Sequence, residues 1–259
     1  MKFTQIRHGS HLISYKDKTY LVDPVFADQG SMSALPMGRI KVKNPLVDMP
    51  FDMAFLQDLD GLILTHLHFD HFDDLAKDML DKNLAIYCHS ADKKKIQKAG
   101  FKKVVAIDDS FNLGQGVSLE TVNGGQHGSG LRKKMMGRTT GYVFKDKSSK
   151  NQEPTLYLTG DTLWCDSVKD ALRKHQPEVI IAFAGQAKLM GQAITMGTED
   201  LDQVANHAPQ AKIIVNHLDT WNHCYLTRSD LKAFLKSKTY KKRFFVPDDG
   251  ESLSLGDQS

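Results

Sequence analysis

The chain has 259 residues and a formal net charge of +3, with 41% hydrophobic and 25% charged residues. These values are typical of a globular protein, and so small a charge does not by itself indicate nucleic-acid binding. No apolar run approaches the roughly 20 residues of a membrane-spanning helix, so we expect no membrane segment. Cys88, Cys165 and Cys224 are odd in number and far apart. They do not suggest a disulfide framework, and a cytoplasmic location fits best.

The first predicted elements are three strands, at 3–8, 12–15 and 19–23, which apolar alternation and a short Lys-Asp-Lys turn indicate. The next segment, 25–52, shows no clean periodicity and contains three prolines and two glycines. A connection of that length inside a domain is usually functional or disordered. Its role stays open at this point.

An apolar run then leads directly into a stretch rich in metal-binding side chains. His66 and His68 are two residues apart, so in an extended chain their rings leave on the same side. Neutral imidazole is a common metal ligand, and two such rings make half of a zinc-type site. Asp70 and His71 follow where the chain turns toward a helix, so we expect them to reach a second metal. A histidine-rich surface loop is the alternative, but the ligand spacing favours metal binding.

The rest of the chain predicts alternating strands and helices in one domain, 1–259. A helix follows His71, with Asp73 as its cap and with Leu75, Met79 and Leu80 as its buried face. Further strands are predicted at 84–88, 104–107, 117–122, 139–145, 155–159, 179–183, 212–215, 243–246 and 252–255. Further helices are predicted at 90–100, 164–175, 198–207 and 227–237, capped by Ser90, Thr198 and Thr227 where a cap is evident.

Four of the predicted strands lead to a side chain that can bind metal. The residues reached in this way are His66, His127, Asp161 and His217. In layered α/β folds, ligands gather where strands end and loops are free to vary. Each case alone is weak, because Gly-Asp is commonly a turn and a single histidine can be buried in a core. Together with the stretch 66–71, they predict one metal centre.

These residues resemble the metallo-β-lactamase-fold hydrolase superfamily. The motif from Thr65 to His71, and the order in which His127, Asp161 and His217 follow it, match its signature. Segments 6–13, 21–24, 160–165 and 216–224 are similar to one branch, which includes the ascorbate-6-phosphate lactonase and uncharacterised bacterial hydrolases. The resemblance implies an α+β fold, a four-layer αβ/βα sandwich with metals at one edge.

The resemblance also implies a dinuclear metal centre. One ion would be held by His66, His68 and His127, the other by Asp70, His71 and His217, with Asp161 bridging the two. Histidine and aspartate suit Zn²⁺, Mn²⁺ or Fe and do not decide among them. Two ions lower the pKa of a shared water and stabilise the charge of an attacked carbonyl or phosphoryl group. The expected activity is therefore that of a metal-dependent hydrolase acting through a metal-bound hydroxide.

The expected substrate is an ester, lactone or phosphoester of a small, anionic molecule. Its charge is inferred from Arg132, Lys133, Lys134 and Arg138, a basic run that either draws in anions or is a solvated loop. The alternatives are a phosphodiesterase acting on a nucleotide or lipid head group, and an RNA-processing or nucleic-acid-binding protein. Against the latter, no basic stripe with interleaved aromatic residues is evident. A homo-oligomer stays open.

Two further histidines have open roles. His8 ends the first predicted strand and either orients a group beside the metals or simply packs in the core. His223 follows His217 by six residues and is either a substrate-contacting acid or a helix cap. We favour the first role for His223, which makes Asp70 and His223 the expected catalytic pair. His11 is expected to face outward.

Overall fold

The residues that the computed structural model describes, 1–128, 130, 136–148 and 151–255, form two large sheets with helices outside them. In chain order the first strands are β1 (Lys2–Arg7), β2 (Ser10–Tyr15), β3 (Lys18–Val22), β4 (Gly61–Ile63), β5 (Ala85–Cys88), β6 (Lys103–Ala106), β7 (Ser110–Gly114) and β8 (Val117–Val122). The others are β9 (Gly141–Asp146), β10 (Leu156–Leu158), β11 (Val179–Phe183), β12 (Lys188–Leu189), β13 (Gln192–Ala193), β14 (Lys212–Asn216), β15 (Phe244–Phe245) and β16 (Ser252–Ser254). The helices are α1 (Asp74–Met79), α2 (Ser90–Lys98), α3 (Asp166–His175), α4 (Thr198–His207) and α5 (Arg228–Leu235).

Each large sheet combines antiparallel and parallel pairing. The first has the order β16-β1-β2-β3-β4-β5-β6, and the second β15-β14-β11-β10-β9-β8-β7. Strands β3 to β6 pair in parallel, as do β10, β11, β14 and β15. Parallel strands end at the same edge of a sheet, where loops gather ligand-binding side chains. The residues that follow β4, β10 and β14 are therefore brought to the sheet edges together.

The packing of apolar side chains produces four layers, as the family resemblance implies. Between the sheets, residues such as Ile63 and Val22 of the first pack with Leu158 and Ile181 of the second. Outside the first sheet, α1 and α2 cover a cluster that contains Leu62. Outside the second, α3, α4 and α5 cover a larger cluster. Full burial of one such side chain is worth about 1.5–3 kcal/mol. The helix–sheet–sheet–helix order confirms the predicted α+β sandwich.

Helix α1 begins as predicted but buries a different face. Asp73 caps it, since its carboxylate accepts a hydrogen bond from the Ala76 N–H at 2.8 Å. Leu80 is buried, whereas Leu75 and Met79 are 38% and 42% exposed, so their predicted burial is wrong. Ala76 packs inward instead. Because the helix has only six residues, its sequence pattern does not determine which side chains face the sheet.

Two other predicted helix caps are wrong by one residue. His89 caps α2 in place of Ser90, because its Nδ1 accepts a hydrogen bond from the Ala91 N–H. Gly197 precedes α4, and its N–H donates to the Asp200 carboxylate at 2.9 Å, so Thr198 is already helical. The predicted cap of α5, Thr227, is confirmed.

The long segment 25–52 crosses the edge of the sandwich that carries the predicted ligands. It contains an isolated bridge between Met32 and Asn44 and a 3₁₀ turn follows at Met53–Asp58. Strands β12 and β13 form a small hairpin that the sequence pattern does not predict. The hairpin lies beside the chain that carries His223, and the Lys188 N–H donates to the His223 carbonyl. No helix within the described ranges is long and apolar enough to cross a membrane.

Candidate metal centre

The predicted metal ligands converge at one edge of the sandwich. His66, His68, Asp70 and His71 follow β4, and the His71 N–H donates to the His68 carbonyl at 2.9 Å in a tight turn. His127, Asp161 and His217 follow β8, β10 and β14 of the second sheet. The side chains of this set are buried, apart from His68, which is half-buried. Both sheets therefore contribute to a single cluster.

Within the cluster, potential ligand atoms form two main groups. One contains His66, His68 and His127; the other contains His8, Asp70, His71 and His217. In each group the ligand atoms lie within 4.8 Å of one another. The division is the one that the family resemblance implies, with His8 as an additional member.

Asp161 lies between the two groups. Its Oδ2 is 3.5 Å from His127 Nε2 and 3.3 Å from His71 Nε2, and its Oδ1 is 3.4 Å from His217 Nε2. The turn that delivers this carboxylate needs Gly160, whose φ is +62° and whose Cβ would lie 3.1 Å from the Thr140 carbonyl oxygen. A carboxylate in this position can contact a cation in either group.

The spacing and the unpaired atoms of the cluster fit divalent ions. Ligand atoms about 2.0–2.1 Å from one tetrahedral ion lie about 3.3–3.4 Å apart. His71 Nε2 and His217 Nε2 are 3.2 Å apart, close to that spacing. His66 Nε2, His127 Nε2 and Asp161 Oδ1 are buried without a hydrogen-bond partner among the described residues. Buried polar atoms are normally paired, so a cation between them would account for their arrangement.

Asp23 orients two of the histidines and was missed as a site residue. Its Oδ2 accepts hydrogen bonds from His71 Nδ1 at 2.8 Å and from Thr65 Oγ1 at 2.5 Å. Thr65 Oγ1 in turn accepts from His66 Nδ1 at 2.9 Å. Both rings therefore carry their proton on Nδ1 and present Nε2 to the cluster, as carboxylate–histidine–metal arrangements do. The available signal was that Asp23 directly follows a strand, as the predicted metal ligands do.

His68 presents its other nitrogen. Its Nε2–H donates to the Met136 carbonyl at 2.8 Å, which leaves Nδ1 as the nitrogen with a lone pair. The rings of His68 and His127 lie 5.2 Å apart. The backbone around Met136 therefore helps to select the tautomer that can bind metal.

The electrostatics of the cluster hold His127, His217 and Asp161 in the forms that bind cations, whereas His71 retains an extra proton when no ion is bound. Burial lowers the pKa of His127 and of His217 to about 4, so both rings are neutral near pH 7. Burial acts to raise the pKa of Asp161, but the imidazoles of His217 and His71 hold it well below its usual range. Burial would also lower the pKa of His71, yet Asp161 and Asp70 raise it well above the usual value. The negative potential that retains a proton there would equally stabilise a metal ion.

Of the three other histidines that the sequence analysis singled out, His8 and His223 lie beside Asp70 and His11 lies apart from it. His8 Nε2 and His223 Nε2 are 3.5 Å and 3.6 Å from Asp70 Oδ2. His223 is 5% exposed and reaches the cavity beside the cluster. His11 is fully buried between Phe3 and Phe183, so the expectation that it faces outward is wrong. It lies on β2, where it packs against the interior of the sandwich.

A cavity of about 180 Å³ opens beside the cluster. Its polar lining comes from His68, Asp70, His127, Asp161 and His223. The rest of the lining, which we call the apolar wall, consists of Leu35, Phe69, Met136, Leu189 and Ile194. These five side chains come from four separate parts of the chain, including the segment 25–52 and the β12–β13 hairpin.

The basic run that suggested an anionic substrate is only partly described. Arg132, Lys133 and Lys134 lie outside the described residues. Arg138 is exposed, and its Nη1 contacts His89 Nδ1 at 2.8 Å at the start of α2. Arg138 is thus engaged with the protein surface near that helix.

Comparisons with known proteins agree with this geometry. The family model described as a beta-lactamase superfamily domain matches residues 18–218. UPF0173 protein YddR of Bacillus subtilis (strain 168) shares 38% identity over 98% of this chain and 100% of its own. A UPF0173 metal-dependent hydrolase of Dinoroseobacter shibae shares 26% identity over 71% of this chain and 74% of its own.

Two solved structures are similar over almost the full length. A possible metal-dependent hydrolase from Veillonella parvula has a TM-score of 0.92 and 33% identity, covering 98% of this chain and 99% of its own. An isothiocyanate hydrolase from Delia radicum gut bacteria has a TM-score of 0.90 and 29% identity, again covering 98% and 99%. Both have the fold described above.

Proposed function

The chain belongs to the beta-lactamase superfamily and is a UPF0173 metal-dependent hydrolase, and on that premise we propose that it hydrolyses a small, uncharged substrate at an electrophilic carbon. The observation that carries the proposal is the apolar wall directly beside the metal cluster. Apolar side chains cannot compensate a buried charge on a ligand, and leaving one unpaired is costly. An ester, a lactone or an isothiocyanate with an apolar substituent fits this lining.

We propose that the centre holds two divalent ions, Zn²⁺ or Mn²⁺, with Fe as a third choice. One set of ligands is His66, His68 and His127, the other is Asp70, His71 and His217, and Asp161 is shared. When bound, such ions supply Lewis acidity and an acidified water. Asp23 holds the tautomers of His66 and His71, and the remaining catalytic work falls to the protein groups around the cavity.

His223 is the group placed to move a proton. It lines the cavity, its Nε2 is 3.6 Å from Asp70 Oδ2, and burial lowers its pKa so that the ring is neutral near pH 7. Asp70 is held as a carboxylate, because the imidazoles around it, His71 foremost, outweigh the effect of its burial. We propose that His223 receives a proton from the attacking water and then donates it to the leaving group.

Isothiocyanate hydrolysis is a specific candidate within this class. The similar structure from Delia radicum gut bacteria is named for that activity, and an isothiocyanate is uncharged with an apolar substituent. Addition of water to the central carbon, proton transfer to nitrogen and cleavage of the carbon–nitrogen bond yield an amine and carbonyl sulfide. The apolar wall would hold the substituent while the carbon faces the cluster.

The test is a substrate panel on metal-loaded protein. We expect hydrolysis of an alkyl or aryl isothiocyanate, or of a neutral lactone or ester, with a higher kcat/KM than for a phosphorylated ester or bis(p-nitrophenyl) phosphate. Ile194→Asp places a charge in the apolar wall and should lower kcat/KM for the neutral substrate without removing metal. A clear preference of the wild-type chain for anionic substrates would contradict the proposal.

Several narrower expectations stay predictions. The anionic substrate expected from the sequence is the alternative to the uncharged one proposed here, and it is untested because three of the four basic residues on which it depends lie outside the described ranges. The phosphodiesterase and RNA-processing alternatives are likewise untested, and the substrate panel addresses the first of them. Steep salt dependence of RNA binding would favour the second. Cytoplasmic location also stays a prediction, and the oligomeric state stays open.

A further inference from the structure

His8 lies in the floor of the metal centre, although the ligand set proposed above does not include it. Its side chain is fully buried, and neither ring nitrogen has a hydrogen-bond partner among the residues that the structure describes. Leaving a buried donor or acceptor unpaired costs about 1–3 kcal/mol. Two such atoms on one ring, beside a carboxylate and two other imidazoles, indicate a function for His8 beyond packing.

The position of His8 is that of a ligand. Its ligand atom lies within 4.8 Å of those of Asp70, His71 and His217, all in one group. His8 Nε2 is 3.5 Å from Asp70 Oδ2, which is longer than a normal N–H···O hydrogen bond of about 2.7–3.2 Å. The separation is instead close to the about 3.3–3.4 Å expected between two atoms that share one ion.

The backbone holds His8 in this place at some cost. Its φ is +53°, in the left-handed region that residues other than glycine adopt uncommonly, although asparagine, aspartate and histidine do so more often than the rest. The His8 N–H donates to Thr220 Oγ1 at 3.1 Å, and the His8 carbonyl accepts from the His217 N–H at 2.9 Å. Strain of this kind, roughly 1–3 kcal/mol, clusters at functional sites and persists where the surroundings enforce it. Here it couples His8 directly to the ligand His217.

We propose that His8 is a further protein ligand of the ion held by Asp70, His71 and His217, an inference that rests on the metal centre proposed above. The two metal positions are then unequal. Three histidines and Asp161 surround the first, which suits tetrahedral Zn²⁺. The second has His8 in addition to its own three ligands and Asp161, which favours an ion that accepts more donors, such as Mn²⁺ or Fe²⁺.

The experiment compares metal binding by the wild-type chain and by His8→Asn. Asparagine tolerates the left-handed backbone but is too short to reach the ion. Each protein is loaded with Co²⁺ or Mn²⁺, dialysed, and analysed for metal content and, for Co²⁺, for its visible absorption spectrum. We expect two ions in the wild-type chain and one in His8→Asn, with at least a tenfold loss of affinity at the second position and loss of that ion's part of the spectrum.

His11→Gln is the matched control, because His11 is an equally buried histidine on the next strand that belongs to none of the metal-binding groups of the described residues. It should keep two ions and the wild-type Co²⁺ spectrum. His8→Gly, which also tolerates the backbone, serves if His8→Asn does not fold. Added imidazole should restore the second ion to His8→Gly by occupying the space of the missing ring.

The outcomes separate this inference from the two-ion proposal. If the wild-type chain takes up two ions and His8→Asn does so with the same affinity and spectrum, His8 is not a ligand and the two-ion proposal stands. If the wild-type chain itself holds fewer than two ions after saturation, both are contradicted.

Discussion

At the scale of single residues, the cluster of proposed metal ligands depends on side chains that follow strand ends. His66, His127, Asp161 and His217 could be predicted because each comes after an apolar strand, which is a local pattern. Asp23 also ends a strand, but its partners, Thr65 and His71, follow β4. That role depends on β3 and β4 being neighbours, which no local pattern reveals. The same holds for His8, whose left-handed backbone is enforced by residues more than 200 positions away.

Asp161 gives the sharpest test of the cluster at this scale. Asp161→Ala removes the carboxylate that lies 3.3–3.5 Å from His71, His127 and His217. We expect the variant to lose at least one ion per chain and its hydrolytic activity, since the remaining imidazoles cannot offset the repulsion between two cations. Elemental analysis and circular dichroism check the result. Asp170→Ala, at an exposed position of α3, is the control and should behave as wild type. Unchanged metal content in Asp161→Ala would make Gly160-Asp161 only a turn.

His11 should make the fold sensitive to acid. Burial lowers its pKa to about 3, whereas an unfolded histidine titrates near about 6.5. Below the unfolded pKa the unfolded chain binds a proton that the folded chain excludes, so stability falls as the pH drops from about 6.5 toward about 3. This one group contributes a slope of up to about 1.4 kcal/mol per pH unit. In metal-free protein, the free energy of unfolding measured with urea should depend less steeply on pH in His11→Gln than in the wild-type chain over this range. An unchanged pH dependence in His11→Gln would contradict this role of His11.

At the scale of elements, the local pattern predicts long apolar strands well and short or polar ones poorly. Strand β11 lies where the apolar run 179–183 predicts it, and all of its residues are buried. Strand β7 was missed because its residues alternate without a buried apolar face, with only Leu113 buried. Strands β12 and β13 have two residues each, too few for any period to show. They nevertheless bring Leu189 to the cavity.

Asn222 fastens residues 31–46, which we call the cover segment, to the chain that carries His217 and His223. Its Oδ1 accepts from the Leu35 N–H and from Asn44 Nδ2, both at 3.0 Å, and its Nδ2 donates to the Leu35 carbonyl at 3.0 Å. Its Nδ2 also donates to the Ile40 carbonyl at 3.0 Å. Leu35 in turn lines the cavity. This buried amide therefore fastens the middle of the long segment 25–52, which forms part of the site through Leu35.

Asn222→Ala should loosen the cover segment. Loss of these hydrogen bonds leaves buried groups unpaired and should lower the free energy of unfolding by about 1–3 kcal/mol. Because Leu35 is displaced while the metal ligands stay in place, we expect KM to rise more than kcat falls. Asn206→Ala, which removes an exposed asparagine from α4, is the control and should change neither value. A loss of bound metal, or a fall in kcat as large as the rise in KM, would show instead that Asn222 supports the cluster itself.

At the scale of the whole molecule, the cluster of proposed metal ligands joins the two halves of the sandwich. His66, His68, Asp70 and His71 follow β4 of the first sheet, and His127, Asp161 and His217 follow strands of the second. The order of strands in each sheet is a non-local property, so the sequence predicts that the ligands meet without predicting which strands are neighbours. We propose that residues 1–259 unfold as one domain, because the interface between the sheets and the cluster are both shared.

Metal removal should therefore lower the stability of the whole fold. Ions that bind only the folded chain stabilise it by about 2.7 kcal/mol when the free ion is at 100 times its Kd. For a chain of this size, each kcal/mol corresponds to roughly 2–4 °C in Tm. We expect chelator-treated protein to melt several degrees lower than protein reloaded with Zn²⁺ or Mn²⁺, in a single transition reported equally by far-ultraviolet circular dichroism and tryptophan fluorescence. Asp161→Ala should show little of this difference, because its cluster can no longer connect the sheets through two ions. An equal Tm with and without metal in the wild-type chain would mean that the ions do not stabilise the sandwich.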